Sequence, residues 1–138
     1  MSDIIVEIIK ESQVISVGDQ GPPGTPGPIV YLDYGKFDSN LVSITQLGIQ
    51  DLHTFSYTAY GAAKYIIYAN YGLNRQVCEV LLLQDGETIT IVEYANLVSG
   101  MLLGTFSASI YGGKVHLEVN PTEVGTQFKV IRTLIADS

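Results

Sequence analysis

Glycine stands at positions 18, 21, 24 and 27 of GDQGPPGTPGP, a strict period of three, with Pro22, Pro23, Pro26 and Pro28 filling positions between. Such a repeat favours a polyproline path, because proline pre-sets its own dihedral and lowers the entropy lost on ordering. Three such chains can wind together only where glycine faces their crowded common axis. Gly18, Gly21, Pro22, Pro23, Gly24, Pro26, Gly27 and Pro28 therefore predict a short collagen-like triple helix and hence a homotrimer. The alternative is a stiff, proline-rich linker. At about 3 Å per residue the run reaches only about 30 Å, too little to hold three chains unaided. The flanking parts are expected to trimerise as well.

This run divides the chain into an attachment segment at 1–17, the collagen-like segment at 18–28 and a β-domain at 29–138. In the first, Ile4, Val6 and Ile8 share one face of an extended strand, and Ile5, Glu7 and Ile9 share the other. A strand apolar on both faces has no core of its own and must pair with other copies or with a host surface. Ile4, Ile5, Val6, Ile8 and Ile9 are thus the candidate attachment residues.

Beyond Pro28, apolar runs of strand length alternate with turns: Ile29 to Tyr34, Leu41 to Thr45, Lys64 to Asn70, Gln76 to Gln84, Thr88 to Tyr94, Leu102 to Tyr111, Lys114 to Val119 and Gln127 to Ile135. Nine tyrosines and fourteen glycines in 138 residues suit pleated sheets and tight turns. The expected class is mainly β, with a carboxy-terminal antiparallel β-sandwich of jelly-roll-like form. Asp85-Gly86 and Gly112-Gly113 predict two-residue hairpin turns, since both central residues tolerate positive φ. Val80 to Leu83 is apolar on both faces, as where one side packs the core and the other a second subunit.

Fourteen acidic and seven basic residues give a net charge of −7, which repels phosphate backbones and anionic lipid alike, so neither nucleic acid nor a membrane is an expected partner. The start lacks a secretory signature and no stretch approaches the roughly 20 apolar residues of a spanning helix. The lone Cys78 sits among apolar neighbours and reads as a buried filler. His53 and His116 have no second ligand at metal spacing. Glu79 and Glu93, on the two arms of one hairpin, could face each other as an acid and base pair, although two solvated carboxylates are the plainer reading. No enzyme, metal or cofactor is expected. Tyr57, Tyr60, Tyr65, Tyr68 and Tyr71 crowd one quarter of the chain and are the candidate ligand surface, with a glycan as the ligand such aromatics suit. Filling of sheet faces and seams is the competing use.

Two parts of the sequence carry a resemblance. VEII running into GDQGPPGTPGP looks like the opening of phage fibre and head-decoration proteins. Phe55 to Ile135 is similar to a β-domain of phage virion proteins, through AAKYIIY, EVLLLQDG, EYANL, LGTFSASIYGGKVHLEVNPT and KVIRTLI. The resemblance implies a structural protein of a tailed-bacteriophage virion, made in the host cytoplasm and lacking a cofactor. The shortness of the glycine repeat turns the expectation towards trimeric capsid decoration, a cement protein on the major capsid protein or another virion protein. The alternative is a neck, tail-fibre or baseplate-associated trimer that binds a host surface glycan.

Overall fold

The computed structural model describes residues 28–137. These residues contain no helix and form nine strands in chain order: β1 (Val30–Leu32), β2 (Gly35–Ser43), β3 (Gln50–Ser56), β4 (Tyr60–Tyr71), β5 (Asn74–Gln84), β6 (Ile89–Ser99), β7 (Gly104–Tyr111), β8 (Lys114–Pro121) and β9 (Gln127–Ala136). All pairings are antiparallel. A six-stranded sheet runs β1-β2-β9-β4-β5-β6, and a three-stranded sheet runs β3-β8-β7.

Period-two alternation builds the core. Ala63, Tyr65, Ile67 and Ala69 of β4, Cys78, Val80 and Leu82 of β5, and Phe128, Val130 and Leu134 of β9 meet Leu52, Phe55, Val115, Leu117 and Val119 of the smaller sheet in one buried cluster. Mainly antiparallel β is thus what the described residues adopt, as two sheets sharing one core. The strands divide six and three, which departs from the expected jelly-roll form, with its eight strands in two Greek keys.

Both expected hairpins form, and one is displaced. Between β7 and β8, Gly112 and Gly113 are the two central residues, both at positive φ, 63° and 77°. Between β5 and β6 the turn centres on Gly86 and Glu87, one residue later than expected, because Asp85 and Thr88 close it. The Asp85 carboxylate accepts the N–H groups of Glu87 and Thr88 at 3.0 and 2.7 Å, which holds its pKa below the ordinary value.

β3 is the strand that alternation does not reveal. Its pairing with β8 slips between Asp51 and His53, so Leu52 is an extra, bulged residue that turns inward alongside Phe55. A second slip, between Glu79 and Val80, bulges Tyr94 of β6. Glu79 therefore lies across from Ala95 and Glu93 across from Val80, and the two carboxylates do not face each other.

Candidate functional site

A cleft of about 540 Å³ opens where the inner faces of β2 and β9 diverge from β3. Cross-strand pairing sets Asp38, Arg132 and Tyr65 in one row across the larger sheet. Arg132 and Asp38 are both buried, and the guanidinium Nε faces the carboxylate at 2.5 Å. Arg132 also donates to the Asn40 side chain, whose amide nitrogen donates to the Leu52 carbonyl of the opposite sheet at 3.2 Å. Lys36 lies 3.5 Å from the same Asp38 carboxyl. Two cations thus share one carboxylate, and Asp51, which also lines the cleft, brings the signs to two each.

His53 comes from the opposite sheet, its Nδ1 3.0 Å from the Tyr65 hydroxyl. Burial, and then the positive charges of Arg132 and Lys36, lower its pKa from 6.5 to about 3, so it is a neutral ring at neutral pH. Burial pushes the Tyr65 hydroxyl well above its usual value, and it stays protonated. With Ser39, Thr54 and Asp51 at the rim, the cleft offers matched donors and acceptors of little net charge. That suits a neutral, hydroxyl-rich ligand better than an anion or a metal ion.

A second polar group lies on the outer face of the three-stranded sheet. His116 Nδ1 is 3.2 Å from the Asp51 carboxylate and its Nε2 3.3 Å from the Tyr111 carbonyl, while the Tyr111 ring stacks on it at 3.7 Å. Ser109 donates to Glu118 at 3.1 Å. His116 is thereby covered, although it points away from the core. Among the described residues no group of three or more His, Cys, Asp or Glu could hold a metal ion, and no helix is long and apolar enough to cross a membrane. Cys78 is buried as expected, its thiol pushed up to about 12 first by burial and then by Glu93.

The five candidate tyrosines do not form one platform, which corrects that expectation. Tyr65 and Tyr68 are three residues apart on a strand and so lie on opposite faces, Tyr65 fully buried and Tyr68 on the outer face. Tyr60 packs edge-on against Phe55 at 5.8 Å with Lys36 over its ring. Tyr57 lies beside Gly86 and Gly113, against both hairpin turns, and Tyr71 lies against Gly125. The attachment residues Ile4, Ile5, Val6, Ile8 and Ile9, and the collagen-like residues from Gly18 to Gly27, lie outside the described residues; Pro28 is exposed.

Asp38, Asn40 and Arg132, which build the cleft, carried no motif: each is a single polar residue in a strand, and only pairing brings them together. Gln76 and Gln84 were equally silent. The Gln76 amide accepts from the N–H of Leu103 and Gly104 at 2.8 and 3.1 Å and donates to the Gly104 carbonyl at 3.1 Å. Gln84 donates to the carbonyls of Tyr57 and Tyr60 at 2.8 and 2.7 Å. These two side chains tie the ends of β5 to the loops around it.

No protein-family model and no curated protein matches the chain. Among solved structures, the tailspike protein of Acinetobacter baumannii phage AM24 aligns with 74% of this chain and 26% of its own, at 10% identity and a TM-score of 0.48. The tailspike protein of the Acinetobacter phage vB_ApiP_P1 aligns with 72% of this chain and 22% of its own, at 15% identity and a TM-score of 0.43. The chain spans about a quarter of the length of either tailspike, and at these scores the likeness is too loose to carry a shared fold or function.

Proposed function

We propose that this chain is a non-enzymatic structural subunit of a tailed-bacteriophage virion that works as a homotrimer. One observation carries the assembly part of this reading: the described residues leave 25 large apolar side chains exposed, against 17 buried apolar residues in the core. A free-standing domain scatters such residues singly, whereas this one gathers many on one sheet face, as a subunit does. The glycine repeat supports three copies, and the resemblance of VEII-GDQGPPGTPGP to phage structural proteins supports the virion. The two cleft carboxylates are engaged, Asp38 by Arg132 and Asp51 by His116, which leaves neither as a free acid or base.

Capsid decoration, with the trimer bridging junctions of the major capsid protein, asks nothing of the cleft. A neck or tail position facing a host glycan does, so the cleft of Asp38, Asn40, His53 and Arg132 favours that second reading. Labelled antibody against the domain, imaged on intact particles, separates the two. Label over the head supports decoration, and label confined to the tail supports the glycan-facing trimer. Absence from purified particles overturns both. Polysaccharide turnover that disappears in Asp38→Asn would overturn the non-enzymatic part.

A further inference from the structure

The two sheets present opposite outer faces. On the three-stranded sheet, Asp51, Thr54, His116, Glu118, Ser107 and Ser109 are mutual cross-strand neighbours, and the face is polar. On the six-stranded sheet, Phe37, Leu41, Ile66, Leu81, Leu83 and Ile131 all stand exposed on the side away from the core. β2 shows the contrast within one strand: Asp38 is buried at 7% exposure while Phe37 and Leu41 face outward at 45% and 44%. That inversion has no value for a domain that keeps this face in water. Six strands about 4.8 Å apart, over four rows of residues, make a patch on the order of 500 Å². Counted whole, with Ser39, Thr133, Lys64, Lys129 and Glu79 standing among its apolar side chains, this face matches in size the larger patches that monomers expose.

The position of this face relative to the chain's entry identifies its occupant. Residue 28 closes the glycine repeat and leads at once into β1, the edge strand of the same sheet, where Val30 and Leu32 continue the face at 51% and 56% exposure. In the homotrimer reading, winding of the repeat would hold three chains at one axis and bring the three β1 strands out of it side by side. The chain's acidic excess would oppose association through most surfaces, but the charged side chains on this face are Lys64, Lys129 and Arg75 against the single acid Glu79, so it does not share that excess.

We infer that the outer face of the six-stranded sheet is the seam of the homotrimer, each copy turning it towards the threefold axis that the glycine repeat begins. The inference rests on the homotrimer reading and adds the surface that forms it. It is tested on the full chain by sedimentation equilibrium of wild type, Ile131→Glu, Leu81→Glu and, as control, Leu47→Glu, which alters an exposed residue between β2 and β3. Wild type and the control are expected to be trimers. Both face variants are expected to dissociate at concentrations at least about 100-fold higher than wild type, the scale of a central interface residue. A second measurement does not depend on those variants folding. Maleimide should label Leu47→Cys quickly and Leu81→Cys slowly in the trimer, with buried Cys78 silent in both. A monomeric wild type overturns the homotrimer reading itself. A trimer unaffected by either glutamate, or one in which Leu81→Cys labels as fast as Leu47→Cys, overturns this seam and leaves the trimer standing.

Discussion

His53 is a base kept neutral by its surroundings, and that ties stability to pH. Its folded pKa, about 3, is below its ordinary 6.5, so as pH falls below 6.5 the unfolded chain takes up a proton that the folded chain refuses. Stability present above pH 6.5 is therefore lost as pH falls. Between pH 6.5 and 5, where carboxylates remain charged, the loss should be about 1 to 2 kcal/mol. Urea unfolding of wild type should show this slope, and His53→Gln should flatten it. An unchanged slope would mean that the ring is hydrated. Asp38 makes the complementary point, since its removal strands the buried Arg132. Asp38→Asn should lower stability by about 3 kcal/mol, and Asp38→Leu with Arg132→Met together by less, because paired removal leaves no orphaned charge.

Among the elements, β5 shows how a strand is pinned beyond its ladders. Gln76→Leu keeps the shape of the residue but orphans the N–H groups of Leu103 and Gly104, where the chain crosses from the larger sheet to the smaller. A loss of about 3 kcal/mol is expected from thermal unfolding, with faster amide exchange at Leu103 and Gly104. Strands with plain alternation, such as β8 and β9, were legible in the sequence because one face is core throughout. β3 was not, since the bulge at Leu52 replaces a spacing of two by one of three between inward apolar residues, Leu52 and Phe55, with the inward His53 between them. β2 was only half legible, because its first part buries Asp38, half-buries Asn40 and exposes Phe37, the reverse of the rule by which strands are read.

On the scale of the whole molecule, the proposed three-chain winding and the β-domain are expected to be separable layers. Gly24→Val puts a side chain where the triple helix has no room. The variant is expected to lower the trimer's melting temperature while the far-ultraviolet dichroism of the β-domain stays unchanged. Identical melting would mean that the repeat is a linker. The sequence by itself determined what depends on neighbours a few residues apart: the period-three glycines, the β class, the Gly112-Gly113 turn and the burial of Cys78. It could not yield the cleft, because Asp38, His53 and Arg132 come from three strands spread along the chain and meet only through β2 pairing with β9 and the packing of β3 above them. Nor could it show that the candidate tyrosines would scatter or that the apolar outer face read at Val80 to Leu83 would extend across a whole sheet. Those outcomes depend on which strands pair and on a three-stranded sheet covering only part of a six-stranded one, and tertiary packing decides both.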